Sequence, residues 1–178
     1  ILSIPIPGSR KKLLKQSKTD QMTGLANRYR LNDYSDKVLD YCYEHRLPLA
    51  MEILDIDFFK QYNDNYGHQQ GDECIIAIAD ELKKMEDRQT FCARYGGDEF
   101  MVVIYNTSKT EIEDILKQLS REKDRLNSRG NDMPIDYACG WAISDADGEC
   151  TIQMLLDKAD YYMYENKQSR KKSMQSTK

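Results

Sequence analysis

Two pairs of acids stand out for their surroundings as much as for their charge. Asp98 and Glu99 sit side by side in "CARYGGDEFMVVIY" (residues 92–105), after two glycines and between two runs that read as β-strands. Asp55 and Asp57 close the apolar run of "ILDIDFFK", and alternate residues of a strand share one face, so both are expected to aim at the hairpin tip. Crowded carboxylates repel, by about 4 kcal/mol for unit charges about 4 Å apart at an effective dielectric of about 20. The repulsion asks for a cation. Two acidic strand ends that face each other suit a hard divalent ion, magnesium above all, with positions left for phosphate oxygens and water. Gly96 and Gly97 are expected to supply the positive φ angles of a tight two-residue turn and to clear side chains from the path of a phosphate.

Other chemistry fits less well. "DIDFFKQYNDNYGH" has the acid density of a calcium loop. Counted from Asp55, however, it places Phe59, Lys60 and Tyr66 where such a loop needs an acid or amide, a glycine and a glutamate, and counting from Asn63 puts His68 at the glycine. No Gly-Lys-Ser/Thr phosphate loop and no GxGxxG occurs. His45 and His68 are too few and too far apart for a zinc site or a catalytic triad, and five cysteines without a CxxC pair indicate neither a zinc knuckle nor a disulfide framework.

The elements that must position these acids follow from periodicity. Leu31, Tyr34, Val38, Leu39 and Cys42 predict a helix over residues 24–45. Residues 48–57 read as a buried strand, followed by a polar and aromatic loop to Gly71. A helix then carries Cys74, Ile75, Ile78, Ala79, Leu82 and Met85. Residues 91–94 and 100–105 are the hairpin arms. A helix over 110–126 opens with a Thr110/Glu113 capping box, residues 135–143 form a strand, and Ile152, Leu155, Leu156, Ala159 and Met163 mark a last helix. Strand, helix, hairpin, helix, strand is the order of the ferredoxin-like split unit. The fold class is therefore α+β, with a mostly antiparallel central sheet flanked by helices.

A chain of 178 residues suits one domain, and a net charge of −4 argues against a general nucleic-acid partner, because phosphate binding needs a basic surface. No apolar stretch reaches the roughly 18 residues of a membrane span, and no signal pattern is present, which suggests a soluble, cytoplasmic domain. "ILSIPIPGSRKKLLKQSK" reads as a tail or solvated linker over residues 1–19, or as the inner flank of an upstream sensor or membrane region, with its lysines and arginines toward the cytoplasm.

Three separated stretches, "DQMTGLANR" (20–28), "LDIDFFKQYNDNYGHQQGDE" (54–73) and "RYGGDEF" (94–100), together resemble the GGDEF domain of diguanylate cyclases, with residues 20–171 as the domain and 172–178 as a C-terminal tail. The resemblance implies a palm-type nucleotidyl cyclase fold. It also implies that two GTP molecules, one on each subunit of a homodimer, are joined into cyclic di-GMP with loss of pyrophosphate. In such enzymes each 3′-hydroxyl attacks the other nucleotide's α-phosphate, assisted by two Mg²⁺ ions per active site, or by Mn²⁺ in their place.

By motif position, Asp55, the backbone carbonyl of Ile56 and Asp98 would hold the metal, and Glu99 would bind metal or activate the hydroxyl. Asp57 is a structural acid in this pattern. Asn63 and Asp72 fall where the family reads guanine: an amide both donates and accepts, and a carboxylate accepts from the ring N1–H and exocyclic amine. Phe58 and Phe59 would offer backbone amides to the phosphates while their rings pack inside; Lys60 and Lys167 would neutralise phosphate charge, and Gly96 and Gly97 would allow close approach. Arg94 either pairs with an acid of the site or flanks the hairpin, and Asp20 and Asn27 cap and tie the first helix.

Departures from the family pattern count as well. An inhibitory product site of the form Arg-x-x-Asp, common just ahead of the hairpin, is replaced by "DRQT", with Asp87 and Thr90 at those places and Arg88 next door, so no feedback through it is expected. After Lys167 the family tends toward Gly-Arg, whereas this chain reads "QSRKK", leaving Lys171 to serve the phosphate without arginine's fork. Three functions stay open: an active diguanylate cyclase, a catalytically silent GTP-binding or interaction module that relays a signal, and a cyclase whose product is a mixed purine dinucleotide.

Overall fold

The computed structural model describes residues 18–128, 134–145 and 149–175, with the side chains of Leu126 and residues 171–175 outside the description. Of the expected tail over residues 1–19, residues 1–17 lie outside the described residues, as does the side chain of Lys171.

In chain order the elements are β1 (Ala26–Asn27), α1 (Arg28–His45), β2 (Leu49–Ile56), α2 (Phe59–Tyr66), α3 (His68–Met85), β3 (Thr90–Arg94), β4 (Glu99–Tyr105), α4 (Lys109–Asn127), β5 (Tyr137–Ile143) and α5 (Ile152–Gln175). The five strands form one sheet in the order β1-β3-β4-β2-β5. β2 pairs antiparallel with both β4 and β5, β3 pairs antiparallel with β4, and β1 runs parallel to β3. From β2 onward this is the expected split unit, with β2 in the middle because both crossovers pass a strand through the gap they leave.

β2 is apolar at nearly every position because it is covered on both faces. Leu49, Met51 and Ile53 point with Met101, Val103, Ala138 and Ala142 toward α1 and α5. Ala50, Leu54 and Ile56 point with Phe100, Val102 and Ile104 toward α3 and α4. Each large side chain withdrawn from water in these two layers contributes about 1.5–3 kcal/mol. α5 lies unusually close to β5: a Cβ on Gly140 would stand 2.1 Å from the Met163 backbone nitrogen and 2.2 Å from the Ala159 carbonyl oxygen.

Several expectations change at this level. The first helix starts at Arg28, not Gly24, because Ala26 and Asn27 are drawn into the sheet beside Ala93 and Arg94. Asn27 is the N-cap, its side chain accepting from the Arg30 amide at 3.1 Å. The segment after β2, expected to be a loop, is mostly the short helix α2, whose Phe59 and Tyr62 rings stack while Tyr66 meets Tyr62 edge-on. The capping box lies two residues earlier than predicted. Ser108 Oγ accepts from the Glu111 amide at 3.3 Å while the Glu111 carboxylate accepts from the Ser108 amide at 2.7 Å, so Lys109 is already helical. α5 extends to Gln175. Among the described residues no helix is long and apolar enough to cross a membrane.

Candidate active site

The register of the two central strands brings the two acidic motifs together. Asp55, next to last in β2, lies directly opposite Glu99, the first residue of β4, and the Ile56 amide donates to the Asp98 carbonyl at 3.2 Å. Residues opposite each other in an antiparallel pair share a face, so the two carboxylates meet at the sheet's end. Burial and then the Asp55 charge push the Asp98 carboxyl above its usual range, against the pull of its own backbone amide, Lys167 and Arg94. Burial pushes Glu99 up as well, followed by the charges of Asp55 and Asp98. The cation present is an ammonium: Lys167, on α5, places Nζ 2.6 Å from Asp55 Oδ1.

The hairpin tip is built differently from the expectation. Four residues, Tyr95 to Asp98, separate β3 from β4, and neither Gly96 nor Gly97 adopts a left-handed φ. The turn is held instead by Arg94, which donates to the Gly97 carbonyl at 2.7 Å and to the Gly96 carbonyl at 3.1 Å. Its Nη1 reaches Asp20 at 3.2 Å, so Arg94 joins the first motif to the hairpin rather than pairing with a site acid. Burial alone would raise Asp20, but hydrogen bonds from the Thr23 hydroxyl and amide and from Arg94 bring it below its usual range. The glycines still leave room. A Cβ on Gly97 would meet nothing within 4 Å, whereas one on Gly96 would stand 2.7 Å from the Glu99 carboxylate.

Asp57 does not join Asp55. Its carboxylate takes a salt bridge from Arg170 Nη1 at 3.0 Å, and its amide donates to the Asp136 carbonyl at 2.9 Å. Arg170 also grips the Asp136 carboxylate and the Tyr137 carbonyl, and Lys123 Nζ holds Asp136 from α4 at 2.9 Å. Arg170 and Asp136 escaped the sequence reading. A signal was available in α5, where Met163, Lys167 and Arg170 recur at helical spacing.

Just beyond the acids, Phe58 takes a left-handed conformation (φ 55°) and no side chain caps α2. Its ring is half exposed rather than packed inside, while Phe59 packs against the core as expected. A non-glycine residue with positive φ at a strand end commonly marks a functional site, and an uncapped helix start presents amides to an anion. Lys60 is exposed beside them. Asn63 lies flat on Gly71, with its Oδ1 buried and unpartnered among the described residues; a Cβ on Gly71 would stand 1.9 Å from that oxygen. Asp72, next in the chain, is exposed, so the two predicted base-reading residues are neighbours across α2 and α3. Gly71 was missed; a glycine in the first turn of a helix was its signal. At the replaced inhibitory motif, Asp87 accepts from the Gln89 and Thr90 amides at 2.8 and 2.7 Å and opens the turn into β3.

The donor set expected from the sequence is all oxygen: three carboxylates and the Ile56 carbonyl. That suits a hard ion rather than zinc. Among the described residues, no three acids, histidines or cysteines gather closely enough to cage an ion alone. Magnesium tolerates such an open set, because it keeps waters and takes up substrate phosphates.

A sheet of this topology, covered by helices and carrying its acids where the two central strands meet, defines a palm-type nucleotidyl cyclase fold. Its likeness extends to the crystal structure of the GGDEF domain of DgcB from Caulobacter crescentus in complex with c-di-GMP, at TM-score 0.76 and 28% identity, covering 86% of this chain and 92% of that one. Residues 17–173 match the family "Diguanylate cyclase, GGDEF domain", and the chain belongs to that family. It is 30% identical over 151 residues to the diguanylate cyclase DgcP of Pseudomonas aeruginosa, covering 85% of this chain and 22% of the relative. To the DgcP of Escherichia coli it is 29% identical over 167 residues, covering 90% and 48%. The chain thus spans between about a fifth and a half of the length of these curated relatives. Diguanylate cyclases of this family generally need a divalent metal.

Proposed function

We propose that this domain condenses two GTP into cyclic di-GMP with release of pyrophosphate, as a homodimer with one GTP on each subunit and Mg²⁺ at the sheet end. The observation that supports this reading is the register: Asp55 stands opposite Glu99, and the Ile56 amide donates to the Asp98 carbonyl, so the two acidic motifs adjoin. Asp55, Asp98, Glu99 and the Ile56 carbonyl hold Mg²⁺, which when bound neutralises phosphate charge and polarises the α-phosphorus.

Around it the chain's own groups position the reactants. The uncapped start of α2 offers the Phe58 and Phe59 amides to the phosphates, with Lys60, Lys167 and Lys171 as counter-charges and Gly96 and Gly97 keeping the approach clear. Asn63 and Asp72 read guanine; the buried Asn63 oxygen needs a donor, and guanine brings one. The 3′-hydroxyl of one GTP attacks the α-phosphorus of the other, a new P–O bond forms, and the bond to the β-phosphate breaks. Glu99, where it is not taken up by the metal, is the carboxylate that accepts the hydroxyl proton. Since each subunit supplies half of the reaction, turnover per subunit rises with protein concentration.

The test is incubation with GTP and Mg²⁺ followed by chromatography. Wild-type protein yields cyclic di-GMP and Asp98→Ala yields none. If the dimeric wild type binds GTP and forms no dinucleotide, the domain is a silent binding module.

A further inference from the structure

Arg170 occupies the stretch after Lys167 where the sequence departs from its family. We propose that it is a positioning residue, which anchors the end of α5 and holds Asp57 out of the metal cradle. The inference rests on Asp55, Asp98 and Glu99 forming that cradle.

The inward stripe of α5 runs Met163, Lys167, Arg170, and each residue meets the sheet at a different point. The Met163 backbone lies on Gly140 of β5, Lys167 reaches Asp55, and Arg170 reaches Asp57 and Asp136. Cations about 4.5 Å apart along a helix thus face acids two residues apart at the end of β2, Lys167 on Asp55 and Arg170 on Asp57. The two cations are not equivalent. Lys167 makes a single contact through a flexible stem, so it can leave Asp55 when another cation or a phosphate arrives. Arg170 spreads a planar fork over two carboxylates and the Tyr137 carbonyl, all on backbone that the Asp57 amide ties to the Asp136 carbonyl. It cannot turn away without losing all three. Asp57 follows Asp55 by two residues, in the turn just past the end of β2, and with its charge committed to Arg170, Asp55 is left as the carboxylate β2 offers to a metal.

The experiment titrates Mn²⁺ into nucleotide-free protein, followed by electron paramagnetic resonance of free Mn²⁺. Arg170→Met is expected to bind Mn²⁺ at least threefold more tightly than wild type, or to bind an additional equivalent, because Asp57 is released into the cradle. Asp57→Asn/Arg170→Met is expected to return to wild-type binding, and Arg170→Lys to fall between, since one ammonium cannot span both acids. Cyclic di-GMP formation by Arg170→Met falls about tenfold, and Arg170→Lys recovers part of it. Should Arg170→Met not fold, the lysine variant carries the same comparison. A Mn²⁺ titration unchanged in the folded Arg170 variants, or a double variant that still binds more tightly than wild type, overturns the proposal. Asp98→Ala separates the two levels. If it leaves Mn²⁺ binding intact, the cradle itself is wrong; if it weakens binding while the Arg170 variants do not differ from wild type, only the role of Arg170 fails.

Discussion

The end of the sheet holds two groups of acids a few residues apart that have been treated in opposite ways. Asp98 and Glu99 are crowded with Asp55, share one lysine, and are pushed above their usual range. Asp57 and Asp136 are fully committed, to Arg170 from one face of the sheet and Lys123 from the other. The second group stabilises the domain. The first costs stability, and a fold keeps such a cost where a ligand removes it. A third case is Glu52, in the middle of β2: it is 1% exposed, both its oxygens lack a hydrogen-bond partner among the described residues, and burial pushes its pKa up to about 8.

The contrast breaks if the two groups respond alike to losing charge. The largest effect is expected at Asp98→Asn, where cyclic di-GMP formation falls by on the order of 10²–10³ or more. In the same variant the melting temperature of metal-free protein rises, because the amide carries no charge to repel Asp55 and Glu99. Calorimetry in the presence of a chelator checks the sign, and a drop would place Asp98 with the structural acids.

Glu52→Leu comes next. A carboxyl whose pKa is higher folded than unfolded favours folding below about pH 4.5 and loses that advantage as pH rises toward about 8. Wild-type stability is therefore expected to decline across that window. The leucine variant removes Glu52's part of the decline and gains about 1–3 kcal/mol at pH 8, read from urea unfolding at several pH values. Asp136→Asn is expected to lose about 1–2 kcal/mol by the same measurement, since partly buried Lys123 loses its carboxylate and Arg170 loses one of its two. At the other side of the site, Gly71→Ala drives the Asn63 amide from its seat, so KM for GTP rises about tenfold while kcat changes less. Steady-state kinetics over a range of GTP concentrations decides it.

How much of this was legible beforehand depends on the range of the interaction. The apolar stripes of α1, α3, α4 and α5 and the runs of β2 and β4 are local patterns, and they appear where periodicity put them. β1 was invisible because two residues carry no period, and it exists only because β3 offers it an edge. α2 was hidden by its polar composition, although Phe59, Tyr62 and Tyr66 keep helical spacing. The glycines of the hairpin suggested left-handed turn geometry; the Arg94 guanidinium shapes a four-residue loop without it. Asp57 shows the limit most clearly. Strand alternation assigns its face, and a residue 113 positions later decides which cation it meets there.

The order of side chains along the chain by itself determined most of the elements and their succession, β1 and α2 excepted, and the two acidic motifs whose carboxylates require a cation, since these rest on composition and short-range periodicity. Which acids remain available and which are neutralised was decided only by tertiary structure. Electrostatic pairing depends on separation in space, and the packing of α5 across β5 and β2 sets those separations.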